Sequence, residues 1–481
     1  MWTPSFVASL SSKVTSAASI ASQDEINLFD ANLGLISRTL QLLRGGPPEP
    51  RGILHLLSLL SRHGESSARR EVVREGKPIL DAIKDHLGRD SDIVEFGVAT
   101  LAHALESVLD RDFPTNLFEK LRMYLLLTVT VNVCLDPTVS HTVALHAIPI
   151  IMHGIRACPW QLVKKNVTPA LVFVAALSRS DNISLRCAAL FIYSGLYDLP
   201  PVSNRVPICT NPSLNLTSRC LPPDLRRAVE DYGIDRCEAT LLEKCTKALT
   251  QGIQDLIMTG DLYTFGTTMA EHLLHSRYTR STGDIAPHLQ RSRSSYRSWE
   301  DCMRAAAGCL RARRDPRHLD MADVLDLETA VSGGTGDPED GVVLAREVLK
   351  RNPRHAFAHM ILCIHTNDPV EAVQTAQRGL DLSDLTPFIR RSILRCLMHT
   401  HASAAWNILL GASPADERLR IAGAAGVKIA LQYAEAFIAE APPDCSHLSQ
   451  VLDEYIVHTF VLAGSGLSEN LSELEVSLGF V

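Results

Sequence analysis

Two stretches of this chain repeat one another about ninety residues apart. Residues 72–105 read VVREGKPILDAIKDHLGRDSDIVEFGVATLAHAL, and residues 163–196 read VKKNVTPALVFVAALSRSDNISLRCAALFIYSGL. Pro78 aligns with Pro169, Leu80 with Leu171, Ile93 with Ile183 and Ala99 with Ala189, at offsets of 91, 91, 90 and 90. That is two units of about 45 residues, a helical-repeat period. In each copy a proline opens a helix, where its missing N–H costs nothing. A polar turn containing Asp follows, then a helix rich in small residues. Val94, Val98, Leu101 and Leu105 recur at spacings of 4, 3 and 4, which predicts one buried stripe. Gly97 and Ala99, and Cys187 to Ala189 in the other copy, leave room for a neighbouring helix to come close. A unit this short cannot bury its apolar face alone, so copies have to stack.

Composition agrees with helices. The chain is 46% hydrophobic but only 5% aromatic, which disfavours a β-sandwich or barrel built on aromatic and β-branched strands. We therefore expect an all-α protein. The repeated segments resemble armadillo repeats over roughly residues 30–198, grading into HEAT repeats. The resemblance implies an α-solenoid that holds peptides or partner proteins along a concave groove. The Asn and Trp ladder that such proteins use for extended peptides is not present.

The second half has its own repetition. DPEDGVVLAREVLKRNP (337–353) matches DPVEAVQTAQRGLDL (368–382), with Asp337 and Asp368 31 residues apart. Each copy opens Asp-Pro with an acid two residues beyond, which places a cap, a first-turn proline and a carboxylate at the positive end of a helix. SPAD (413–416) is a third instance. These units resemble tetratricopeptide repeats over about 316–411, although His359 and Cys363 stand where a large aromatic and Gly are usual. The resemblance implies a groove that holds a partner's tail or helix. The pairing of the two halves also resembles the helical bodies of some fungal MYND-finger proteins, whose Cys/His zinc module is missing here. Six of the chain's prolines fall in 200–223. The expected layout is a flexible 1–23, an armadillo-like domain over 24–199, a Pro-rich connector over 200–223 and bridging helices over 224–274. An Arg/Ser-rich loop over 275–298, a tetratricopeptide-like domain over 299–465 and a tail over 466–481 complete it.

Three features invite a chemical reading. His355, His359 and Cys363 lie at i, i+4 and i+8 in RNPRHAFAHMILCIH. They form a stripe opposite Phe357, Met360, Ile361 and Ile364, open to a partner groove or to packing on a neighbouring helix. Cys396 and His399 are the nearest further donors, but a structural zinc needs four closed ligands, and no metal or cofactor is expected. The stretch 275–318 carries ten Arg against four acids. There Arg291, Arg293 and Arg297 form a candidate partner or phospho-regulated surface, with a solvated loop and helix end as the plain alternative. AEHLLH (270–275) has the wrong order for a zinc protease, and SGGTGDPEDG (332–341) lacks the Lys-Ser/Thr of a phosphate loop.

A net charge of −7 argues against a whole-chain nucleic-acid binder. The most apolar run, MYLLLTVTVNVCL (123–135), is too short to span a bilayer and is expected to be a core helix. Twelve cysteines without a Cys-x-x-Cys, and an N-terminal stretch without a signal-peptide core, fit the cytoplasm or nucleus. The expected function is a non-enzymatic scaffold that binds other proteins. An enzyme assembled from scattered residues, or an accessory subunit of one, and an adaptor regulated through 275–318 are the alternatives.

Overall fold

A computed structural model describes residues 33–47, 49–64, 66–108, 123–136, 141–157, 168–197, 223–276, 298–332, 338–411 and 416–466, with 138, 140, 296 and 468 singly. All regular structure among them is helical. The chain divides into two compact units, 1–202 and 203–481.

The first unit contains α1 (Leu33–Arg44), α2 (Pro50–His63), α3 (Ser66–Arg74), α4 (Lys77–His86), α5 (Ser91–Val108), α6 (Met123–Leu135), α7 (His141–Ala157), α8 (Thr168–Leu177) and α9 (Ile183–Tyr197). Four pairs, α1/α2, α4/α5, α6/α7 and α8/α9, begin at residues 33, 77, 123 and 168, at steps of 44 to 46. The members of each pair pack on one another. First helices touch in the order α1, α4, α6, α8, and second helices in the order α2, α5, α7, α9. Two helical layers result, with one continuous apolar core between them. The pair α6/α7 is the unit that the ninety-residue offset leaves between the two matched copies.

Local chemistry explains the register. Asp90 Oδ1 accepts from the backbone N–H groups of Asp92 and Ile93 at 3.1 and 3.3 Å and so starts α5. In the other copy Asn182 does this work, accepting from the Ser184 N–H at 2.9 Å to start α9. Val94, Val98, Leu101 and Leu105 are all buried, as their spacing predicts. α6 is a core helix: Leu126, Leu127, Val129, Val131 and Val133 are buried. At Gly97 a Cβ would fall 2.5 Å from Ile83 Cγ1, so α5 lies on α4 at a distance that only glycine permits.

The second unit contains α10 (Pro223–Tyr232), a 3-10 turn (Ile234–Arg236), α11 (Glu238–Thr259), α12 (Leu262–Leu273), α13 (Trp299–Ala312), α14 (Pro316–Ser332), α15 (Pro338–Arg351), α16 (Ala356–His365), α17 (Pro369–Leu380), α18 (Pro387–Gly411), α19 (Glu417–Glu440) and α20 (Leu448–Ala463). Leading helices α12, α14, α16 and α18 touch in sequence. Each trailing helix of α13, α15 and α17 packs on its own leader and on the next one. α15 and α17 start at Pro338 and Pro369, 31 residues apart, and Asp368 caps α17 by accepting from the Val370 N–H at 2.9 Å. Asp416 caps α19 through the Leu419 N–H at 3.2 Å.

A long-range tie joins the start of α11 to the turn between α19 and α20. The N-cap of α11, Cys237, has no side-chain cap bond. Instead the Glu238 and Ala239 N–H groups donate to Asp444 Oδ1 and Oδ2 at 3.0 and 2.7 Å. Glu238 in return accepts from the Ser446 N–H and Oγ at 2.9 and 2.8 Å. The exchange is a capping box made between segments more than two hundred residues apart. Tyr232 Oη reinforces it by donating to the Glu440 carbonyl at 3.3 Å, and Arg390 pairs with the Glu440 carboxylate at 2.8 Å.

The Gly97 contact yields a test. Gly97→Ala should destabilise the protein by about 1–3 kcal/mol through overpacking, despite alanine's better helix propensity. Adding Ile83→Val, which opens space at the clash, should recover part of the loss in urea unfolding. A stabilised Gly97→Ala protein would refute the close approach.

Candidate functional site

The histidine helix α16 is enclosed by α14, α15, α17 and α18. Seven consecutive residues, Phe357 to Cys363, are buried, and so is His355 at the cap. His355 Nδ1 accepts from the Ala358 N–H at 3.1 Å and caps the helix; its proton is then on Nε2, which donates to the Asp320 carbonyl at 3.1 Å. His359 has a carbonyl at each ring nitrogen, Thr375 O at 3.1 Å from Nδ1 and Pro353 O at 2.9 Å from Nε2. Cys363 Sγ donates to the Met360 carbonyl at 3.3 Å. His355, His359 and Cys363 are 5%, 4% and 2% exposed. The stripe is therefore an interior seam and faces no groove. A helical wheel sees one apolar face, whereas this helix is packed on every side.

The structure gathers a different group around His355. Donor atoms of Asp320, Asp323 and His355 lie within 4.8 Å of one another. Two guanidiniums already neutralise the carboxylates. Arg351 bridges Asp320, at 3.1 Å, and Asp323; Arg311 bridges Asp323, at 3.2 Å, and Asp326. Asn352 Nδ2 donates to Asp320 Oδ2 at 3.0 Å. With both His355 nitrogens engaged and the acids ion-paired, the arrangement does the work of a helix junction that joins α13, α14 and α15 to the start of α16. Arg311, from the arginine-rich 275–318 stretch, is part of this network, and the Arg313 guanidinium lies over the Tyr263 ring at 4.6 Å. Arg291, Arg293 and Arg297 lie outside the described residues.

Of the two further donors named with the stripe, Cys396 joins Cys363 and His399 does not. Cys396 Sγ donates to the Cys363 carbonyl at 3.0 Å. His399 lies near Glu454 and His458 of α20.

Sequence reasoning missed a row of imidazoles in the first unit. His55, His103 and His146 stand on successive second helices α2, α5 and α7. Their spacing of 48 and 43 residues follows the repeat and was the available signal. His55 stacks on Phe96 at 4.5 Å, and His103 meets His146 edge-on at 5.1 Å. Burial holds the His103 imidazole down at about 4, helped by His146, Arg62, Arg69 and His63.

One helix face is left open. α19 buries Gly423, Val427, Ala430, Ala434 and Phe437. On its other side Ile421 and Ile429 are exposed, at 60% and 37%, with Ala422 and Ala425 between them and Arg418 and Lys428 beside them. At about 100° per residue these residues share one face. α19 is the one described helix long and apolar enough to be a membrane-span candidate, but it packs on α18 and α20 and carries charges along its length.

His458 gives a pH signature for this end of the unit. Trp406 Nε1 donates to His458 Nε2 at 3.0 Å, so the ring is neutral with its proton on Nδ1, which has no partner. Burial, with His399 nearby, depresses it to about 4. The unfolded state, near 6.5, then binds the proton more readily. This contribution is intact above about pH 6.5 and is lost as pH falls toward 4, to the order of 3 kcal/mol. The melting temperature should fall over that window, and His458→Gln should flatten the dependence. An unchanged slope would contradict the assignment.

No family model matches the chain, and comparison with curated proteins and with solved structures finds no match either.

Proposed function

We propose that the chain is a non-enzymatic helical-repeat scaffold, with an armadillo-like first unit and a tetratricopeptide-like second unit, that docks an amphipathic helix of a partner protein on α19. The 44–46-residue steps of α1, α4, α6 and α8 and their two-layer contacts support the armadillo-like reading. The leader–trailer packing of α12 to α19 and the 31-residue step support the tetratricopeptide-like one. The observation that carries the docking site is the exposed Ile421–Ile429 face. An uncovered apolar stripe on a 24-residue helix is costly in water unless something covers it part of the time. Arg418 and Lys428 at its edges fit a ligand helix whose apolar anchors recur at i, i+3 or i+4 and i+7 and whose flanks are acidic. The nine described cysteines are all free thiols, which fits a cytoplasmic or nuclear protein.

A labelled peptide with Leu at that spacing and Glu flanks tests this by fluorescence anisotropy on the full chain. Ile421→Glu/Ile429→Glu should weaken binding at least about tenfold. Salt should weaken the wild-type interaction as well. Equal binding by the variant would refute the site. Concentration-dependent self-association that the variant abolishes would assign the face to a second copy and overturn the partner-helix reading.

A further inference from the structure

The second unit brings two thiols together inside its stack. Cys363 on α16 and Cys396 on α18 belong to helices that pack directly, with α17 between them in sequence. Cys396 Sγ donates to the Cys363 carbonyl at 3.0 Å, which brings its thiol against the residue that carries the second one. Thr400 Oγ1 lies 3.9 Å from Cys396 Sγ. Neither cysteine is in a disulfide. Cys363 is 2% exposed and Cys396 half-buried, so a small reagent reaches Cys396 first.

We propose that Cys363 and Cys396 form an oxidation site that hydrogen peroxide converts to a disulfide, clamping α16 to α18. In the first step Cys396, as thiolate, attacks one peroxide oxygen. The S–O bond forms, the O–O bond breaks, and hydroxide leaves and takes up the proton lost by the thiol, giving sulfenic acid and water. In the second step the Cys363 sulfur attacks the Cys396 sulfur. The S–S bond forms, the S–O bond breaks, and hydroxide leaves with the Cys363 proton as water. Two thiols and one peroxide become one disulfide and two waters.

Six other described thiols differ from this pair. Burial pushes Cys134, Cys187, Cys237, Cys245, Cys302 and Cys445 up, away from the reactive thiolate. Cys396 goes the other way. The neighbouring Cys363 thiol lowers it, and Thr400 and Arg395 assist against the opposing effect of burial. Cys363 is raised in turn, so Cys396 is the thiol that peroxide meets as the better nucleophile. Because α16 and α18 are leaders of adjacent repeats, the bond would staple two units of the stack across the helix between them. This inference does not depend on the α19 docking site.

The test uses the reduced full chain, treated with hydrogen peroxide and mapped by mass spectrometry without reduction. Cleavage after Arg and Lys leaves Cys363 alone in 355–378 and Cys396 alone in 396–418. The expected product is these two peptides joined with the loss of two hydrogens, restored by dithiothreitol. The disulfide should raise the melting temperature by about 5–10 °C. Cys363→Ser should instead accumulate a Cys396 sulfenic acid trapped by dimedone, and Cys396→Ser should give neither product. Circular dichroism checks that both variants fold, and the wild-type result stands without them. Modification of Cys396 without the cross-link, or no modification at either residue, would overturn the proposal.

Discussion

Neither repeat type in this chain can bury its own apolar face, and everything else follows from that constraint. A helix pair such as α4/α5 leaves apolar surface to water until α1/α2 and α6/α7 cover it. Fully buried residues such as Leu54, Leu101, Ile151 and Ala189 come from successive second helices and pack in one shared core. Stability is then a sum of neighbour interfaces. Close approach is what makes each interface large. Gly97 supplies it between α4 and α5, and Gly423, whose Cβ would sit 2.6 Å from Leu409 Cγ, supplies it between α18 and α19. The second unit adds a non-local tie to this scheme. The exchange between Glu238 and the Asp444–Ser446 turn ties its first long helix to its last turn, so this stack has a fastening that neighbour contacts alone do not provide.

The parts legible in the sequence were those set by local spacing. Stripes such as Val94–Leu105, Asp and Pro helix starts, and the core character of α6 depend on residues a few positions apart. The two repeat offsets were readable because each unit rebuilds the same pair. What escaped was set by neighbours. The wheel placed His355, His359 and Cys363 opposite an apolar face, and it could not show that α14, α15, α17 and α18 surround the helix. Nor could it show Asp320 and Asp323 arriving from an earlier leader helix, or Arg311 and Arg351 neutralising them. Asp444 as the cap of α11 has no local signature at all. The His55, His103 and His146 row did leave a trace in its near-repeat spacing, but it is mixed with fifteen other histidines.

The same constraint shapes the functional reading. A stack built from neighbour contacts has free surface wherever a helix runs out of neighbours, and α19 is such a place. Its inner face is held by α18 and α20, while Ile421 and Ile429 look outward between two cations. The chemistry around His355 is spent on joining helices, so the binding we propose uses a surface and not a cluster of ionisable groups.

Hydrogen exchange on the full chain with an Ile151→Ala substitution tests the neighbour-stack account most directly. Ile151 is fully buried on α7, and its truncation costs about 2–5 kcal/mol. The account predicts faster exchange in α7 and in its partners α5, α6 and α9, fading with distance along the first unit toward α1. A uniform acceleration across the helices of the first unit would contradict it.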